Sequence, residues 1–240
     1  MKNTKNGKML MALLLCLVLA LCCAACGNSA ETAETALTST EADTEQPPAE
    51  TDGLEEDELP ILTEGGEPVT DSEHELHHVS IQIRDYGTVN LVLDATEAPI
   101  TVQNFLDLAG SGFYDGLTFH RIMDGFMIQG GDPLGNGFGG SSTTIKGEFA
   151  ANGWENSISH VPGVISMARS QAMDSASSQF FICVGDASFL DGQYAAFGWT
   201  ADDESLQIVQ QIAKDARPVD DNGTIPAAQQ PVIESVTVVD

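Results

Sequence analysis

The run Phe119-His-Arg-Ile-Met-Asp-Gly-Phe-Met-Ile-Gln-Gly-Gly131 limits what this chain can become more than any other feature. It reads as a strand, a glycine turn and a second strand. The permanent cation of Arg121 is thereby set among apolar side chains and an amide, and no nucleophile accompanies it. Such a unit brings Arg121, Phe126, Met127 and Gln129 within reach of one shallow apolar pocket. Two further blocks follow it: Ser178-Gln-Phe-Phe-Ile-Cys183, and then Phe189-Leu-Asp-Gly192 with Ala196-Phe-Gly198.

Around these blocks the chain from about His77 onward reads mostly as short strands. Val79 to Ile83 and Thr88 to Leu93 alternate apolar and polar residues across Asp85-Tyr-Gly87, the pattern of a hairpin. Further strands are expected at Leu117 to Ile122, Phe126 to Gln129, Gly163 to Ala168, Gln179 to Val184, Ala196 to Trp199 and Val232 to Val239. Pro99 can open a helix through Ala109, with Val102, Phe105, Leu106 and Ala109 on one face and Gly110 as a stop. Asp203 to Lys214 repeats the pattern through Leu206, Val209 and Ile212. Many short strands with two helices predict a mainly β fold, a closed antiparallel barrel.

The ends differ from this middle. Lys2, Lys5 and Lys8 precede the apolar run Met9 to Leu21, which is too short to span a bilayer comfortably and reads as a targeting segment. Cys23-Ala-Ala-Cys26 then resembles the lipobox of bacterial lipoproteins, in which cleavage precedes a cysteine that becomes lipid-modified. That resemblance makes residues 1–25 a signal peptide and Cys26 the lipid attachment. Cys23, standing where the pattern usually has Leu, is a mild departure. From Gly27 to about Glu75 there is no Lys, Arg or aromatic residue, so residues 26–76 cannot build a core and are expected to form an acidic, disordered tether. A flexible coil of that length reaches on the order of 40 Å or more. Residues 77–240 are then the folded domain. The formal net charge of −27 repels phosphate backbones, so nucleic-acid binding is not expected.

Once the signal has left and Cys26 is acylated, Cys183 is the remaining thiol, and its place in an alternating run marks it as a small buried hydrophobe. Two formal motifs fail on context. His74-Glu-Leu-His-His78 fits H-E-x-x-H, but the zinc-binding sense of that motif needs a helix, whereas Val79 onward alternates as a strand. No metal or other cofactor is expected. Gly135-Asn-Gly-Phe-Gly-Gly140 fits G-x-G-x-x-G, but β-branched, turn-like residues follow where a helix would have to open. It reads as a glycine-rich surface loop.

Taken together, the three blocks resemble the cyclophilin family of peptidyl-prolyl cis-trans isomerases, in the same order and at nearly the family's spacing. The resemblance covers roughly His78 to the C-terminus. It implies an eight-stranded antiparallel barrel capped by two helices, and it agrees with a glycine-rich loop bordering the substrate groove. Arg121, Phe126 and Gln129 match the family's catalytic positions. Phe126, Met127, Phe181 and Leu190 match its proline pocket, and Ala168, Arg169 and Gln179 positions lining the groove. Phe189 stands where many members have tryptophan, a loss that should weaken cyclosporin binding more than isomerisation. Tyr194 replaces a frequent histidine, Arg169 an asparagine and Asp124 a common proline. His120 precedes the arginine as in the family and, on strict alternation, faces away from it, so it is read as structural.

The resemblance fits the chemistry of the residues. Rotation about an Xaa-Pro bond must break amide resonance, against a barrier of about 18–20 kcal/mol, and no covalent bond is made. A catalyst need only bind the twisted amide better than either planar form. The expected function is a lipid-anchored isomerase at the outer face of a bacterial membrane, monomeric, acting on proline-containing unfolded or exported polypeptides. The alternative is a non-catalytic proline-peptide binding module on the same fold.

Overall fold

The computed structural model describes residues 74–239. Eight strands and two helices account for its regular structure. In chain order these are β1 (Leu76–Ile83), β2 (Gly87–Asp94), α1 (Pro99–Gly110), β3 (Phe119–Met123), β4 (Met127–Gly130), β5 (Val164–Met167), β6 (Phe180–Cys183), β7 (Ala196–Thr200), α2 (Asp203–Asp215) and β8 (Ile233–Val238). The expected elements are therefore found, with ends displaced by a few residues. Single 3₁₀ turns at Ala150–Asn152, Ser188–Leu190 and Ala227–Gln229 had no periodic signal to reveal them. Cys26 and the proposed signal and tether lie outside the described residues, apart from the tether's last few.

All strand pairs are antiparallel, in one sheet of order β3-β4-β6-β5-β7-β2-β1-β8. The sheet curls so that its end strands approach, but it is an open half-barrel and not the closed barrel expected from the sequence. The physical reason lies at the seam. β3 spends its outer edge on the loop before β8: Ile122 N–H donates to the Gly223 carbonyl at 2.8 Å, and Arg121 bridges to Thr224. Pro231 has no N–H to offer a ladder. What remains between the ends is a lone bridge, Thr118 to Val232, with Phe119 N–H to the Pro231 carbonyl at 3.0 Å and Ile233 N–H to the Leu117 carbonyl at 2.8 Å.

The inner face is filled by large apolar side chains. Phe105, Tyr114, Phe119, Phe180 and Phe197 are fully buried, and Phe180 meets Phe105, Tyr114 and Phe119 edge-on at 5.5, 5.6 and 6.0 Å. Helix α1 supplies Val102, Phe105 and Ala109 to this core, as its periodicity predicts. Its first free N–H groups are met by a buried carboxylate: Glu148 accepts from Ile100 N–H at 3.0 Å and from Thr101 N–H at 2.8 Å. In α2 the Asp202 side chain caps Ser205 N–H at 2.6 Å, and Val209, Ile212 and Ala213 are buried.

The two decoy motifs are resolved by their backbones. His77 and His78 lie on β1, with His74 just before it and bonded to Asp94 Oδ2 at 2.6 Å, so no helical turn aligns His74 with His78. Among the described residues, no group of three potential ligands is gathered for a metal. The glycine-rich run folds as a loop around the carboxylate of Asp132, which accepts the N–H groups of Leu134, Asn136 and Gly137 at 2.8, 3.0 and 2.6 Å. A side chain at Gly139 would collide with that carboxylate.

Candidate active site

The outer face of β3, β4 and β6 carries a second, smaller apolar cluster. Met127, Phe181, Cys183 and Ala187 are buried there, with Met123, Phe126, Ala168, Leu190 and Tyr194 packed around them. Alternation produces it: in β6, Phe180 and Ile182 face the core while Phe181 and Cys183 face outward. Burial raises the Cys183 thiol to about 12, with Asp191 and Asp186 adding to the effect, so it packs as a neutral group.

Arg121 reaches this face through an irregularity. Strict alternation would place Phe119 and Arg121 on one side of β3, yet Phe119 is in the core and Arg121 in the groove. The register explains it: Phe119 pairs with Gly130 and Arg121 with Gln129, leaving His120 as the extra residue of a bulge. His120 is buried, and neither ring nitrogen has a hydrogen-bond partner. Burial holds its pKa below the usual value, with Arg121 adding to the effect and Asp132 opposing it. The turn to β4 is closed by Gly125, whose φ of 74° suits glycine.

The guanidinium is fixed from several sides. Arg121 Nε donates to the Asn222 carbonyl at 2.7 Å and Nη1 to Gln129 Oε1 at 3.1 Å; Met123 and Met127 sulfurs lie at 3.2 and 3.7 Å. Its carbon stands 6.0 Å from the Phe126 ring centre. Burial lowers its pKa, with Tyr194 and Asp220 opposing, but an arginine stays charged throughout the working range. From Gln129 the bonds continue outward. Gln129 Nε2 donates to Gln179 Oε1 at 2.9 Å, and Gln179 Nε2 donates to the carbonyls of Gly139 and Gly137 at 2.7 and 3.2 Å. A chain of aligned amides thus runs from the cation to the glycine loop.

Arg121, Phe126, Met127, Gln129, Ala168, Arg169, Phe181, Leu190 and Tyr194 line one hollow of about 220 Å³. Gln179 lies in an adjoining cavity of about 300 Å³ that also touches Gln129, Ala168 and Arg169. Phe189 lines neither. It is 65% exposed and stands at the rim, its ring 5.5 Å from that of Phe126. Tyr194 meets Phe181 edge-on at 5.9 Å.

Beneath the hollow lies a set of polar groups that the sequence reading missed. His160 Nδ1 is 2.7 Å from Asp191 Oδ1, and Nε2 is 2.9 Å from Ser166 Oγ. A carboxylate only accepts, so Nδ1 carries the proton and the Ser166 hydroxyl donates to Nε2. Burial lowers the His160 pKa against the pull of Asp191. For Asp191, burial alone would raise the carboxyl, but bonds from Ser159, the His160 N–H and its ring carry it below the usual range. The imidazole stacks on Phe181 at 5.9 Å, and Asp191 directly follows Leu190. The trio, with His160 and Ser166 buried and Asp191 at the surface, therefore ties the two walls of the hollow together. Asp191 stood inside the Phe189-Leu-Asp-Gly192 block, but nothing in the sequence links it to a histidine so far upstream.

A family model described as cyclophilin type peptidyl-prolyl cis-trans isomerase/CLD matches residues 78–238. The chain belongs to the cyclophilin family. This cyclophilin is 45% identical over 126 residues to a peptidyl-prolyl cis-trans isomerase of Synechococcus elongatus, a match spanning 52% of this chain and 82% of that one. It is 37% identical over 167 residues to peptidyl-prolyl cis-trans isomerase A of Mycobacterium tuberculosis, spanning 63% and 87%. Among solved structures, a Cryptosporidium parvum cyclophilin-type isomerase gives a TM-score of 0.59 at 28% identity, covering 69% of this chain and 99% of that one. The same parasite protein in the presence of the dipeptide Ala-Pro gives 0.58 at 29% identity, covering 68% and 99%.

Proposed function

We propose that this cyclophilin speeds rotation about Xaa-Pro bonds in exported polypeptides at the outer face of a bacterial membrane. The observation that carries the reading is the fixed guanidinium of Arg121 at the mouth of a hollow floored by Met127 and Phe181. As the amide twists, the prolyl nitrogen recovers a lone pair, and Arg121 donates to it. One charge-assisted bond supplies about 1.5–3 kcal/mol, whereas five decades of acceleration ask for about 7 kcal/mol. The apolar wall contributes the rest: it strips water from an amide whose planar form water favours, and it grips the proline ring while the neighbouring residue rotates. Gln129, held by Arg121 and Gln179, steadies the substrate backbone. The Ala-Pro dipeptide in whose presence the Cryptosporidium protein was crystallised is a molecule of the same chemical kind.

Exchange spectroscopy on an Xaa-Pro peptide is the direct test. The purified protein should accelerate cis-trans exchange, and Arg121→Ala should cut turnover by about two orders of magnitude without altering the circular dichroism. Saturable binding with exchange no faster than in buffer would instead mark a binding module. The placement of the domain rests on the sequence alone: residues 1–25 as signal, Cys26 as anchor, 26–76 as tether and 77–240 as a monomeric catalytic domain. Replacing Cys26 by Ser should move the protein from the membrane to the soluble fraction, with loss of the lipid mass on Cys26.

A further inference from the structure

Two cations face the groove of this otherwise acidic chain, and only one is used by the mechanism above. Among the described residues the lysines and arginines are Arg84, Arg121, Lys146, Arg169, Lys214 and Arg217. Arg84 pairs with Glu234. Lys146 lies over Trp154, and Lys214 and Arg217 sit at the end of α2. Arg121 and Arg169 remain, both lining the proline hollow.

Arg169 is immobilised without being neutralised. Its guanidinium lies 4.7 Å from the Tyr194 ring centre and 4.9 Å from that of Phe149. Nε and Nη2 donate to the Gln193 carbonyl at 3.0 and 2.8 Å, and Nη1 to the Ser170 carbonyl at 2.9 Å. Every one of these partners is uncharged, and no described carboxylate lies in salt-bridge range. The nearby acids are turned to other donors. Asp174 accepts from Gly147 N–H and Asn152, and Asp132 is filled by its loop.

Arg169 also lines the second cavity, whose wall is polar: Ser170, Ser175, Ser177, Gln179 and the glycine loop. The Ser177 hydroxyl makes no hydrogen bond among the described residues. A fixed cation with a spare N–H, beside an uncommitted hydroxyl, is a receptor for a carboxylate. Its rotamer entropy has already been lost, so little more is lost on binding. The chain's formal net charge of −27 sharpens the choice, because Arg121 and Arg169 stand together in the groove and neither forms a salt bridge with a described carboxylate.

We propose that Arg169 is a specificity-determining residue that favours clients carrying an Asp or Glu within one or two residues of the isomerised proline, with the acid side chain in the polar cavity. The inference rests on the isomerase reading.

The test uses the full chain and matched peptides with Glu, Gln or Lys beside a common Xaa-Pro bond. At low salt kcat/KM should favour Glu over Gln by about five-fold, the size of a good partly exposed ion pair, and Lys should rank last. The preference should fade near 1 M salt, where the screening length is about 3 Å. Arg169→Gln should erase the Glu-to-Gln ratio, and Arg169→Lys should keep part of it. Equal rates on Glu and Gln peptides with the unaltered protein would overturn the proposal, whatever the variants do. So would a preference that survives Arg169→Gln. Failure to accelerate even the Gln peptide would instead sink the isomerase reading.

Discussion

The two faces of the β3-β4-β6 ribbon are built from the same alternating strands and do opposite work. Inward, Phe119, Ile122, Ile128, Phe180 and Ile182 join a continuous core; outward, Met127, Phe181 and Cys183 form a thin apolar layer beside the polar groups of Arg121 and Gln129. The inner layer is closed on every side by other elements. The outer one is left a wall short, and that missing wall is the place a proline ring would fill. Function here is a packing problem left incomplete on one face, with a cation placed at the gap.

Neighbouring phenylalanines offer the sharpest way to break that contrast. Phe180→Ala empties a site enclosed by Phe105, Tyr114 and Phe119 and should cost about 3–5 kcal/mol in denaturant unfolding. Phe181→Ala should cost near or below the lower end of that range, because water can enter from the groove, yet turnover should fall by more than about ten-fold. If the Phe181 variant loses as much stability as the Phe180 variant and keeps its turnover, the division of labour is wrong.

Much of this division was legible beforehand. The hairpin at Asp85-Tyr-Gly87, both helices and each strand announced themselves because alternation and capping are local properties of sequence. Most groove residues were legible in the three blocks, with Ala168, Arg169 and Tyr194 matched outside them, and the structure gathers Arg121, Phe126, Met127, Gln129, Ala168, Arg169, Phe181, Leu190 and Tyr194 around one hollow. What stayed hidden depended on non-local register. The bulge at His120 resets the alternation that would otherwise turn Arg121 inward, and no residue there signals it. The open seam was missed because Arg121 and Ile122 bond to Gly223 and Thr224, in a loop without pattern. The Asp191-His160-Ser166 trio stayed hidden because Asp191 meets the His160 to Ser166 segment from 31 residues beyond His160.

That trio supplies an intermediate prediction. His160→Gln leaves Asp191 and Ser166 imperfectly paired and frees the Phe181 ring from its backing, so stability should drop by about 1–3 kcal/mol. Turnover should fall several-fold, chiefly in kcat, if the walls must hold their spacing as the amide twists. The pH dependence gives an independent reading. The folded His160 has a pKa below the ordinary 6.5, so between those two values the unfolded chain binds more protons than the folded one. Stability must then rise with pH across that window and be lost on acidification below about 6.5. His120 contributes with the same sign. Urea titrations across the window should show a slope shallower in His160→Gln by up to one proton, about 1.4 kcal/mol per pH unit. An unchanged slope would mean that the imidazole is not the buried neutral group described.

The smallest effect is expected where the two faces no longer compete, at the outer end of the amide chain. Gln179 touches neither the core nor the proline hollow; it passes the polarity of Arg121, through Gln129, to the carbonyls of Gly137 and Gly139. Removing it in Gln179→Ala leaves Arg121 held by Asn222 and Gln129, so the reacting geometry survives. Gln129 Nε2 and the two glycine carbonyls are open enough to be rehydrated, which limits the stability cost to about 1 kcal/mol. The glycine loop, no longer tied down, should present a less ordered groove, raising KM by about two- to five-fold with kcat nearly unchanged. A loss concentrated in kcat would show that the amide chain tunes Arg121 itself, and would move Gln179 from positioning the client to assisting the twist.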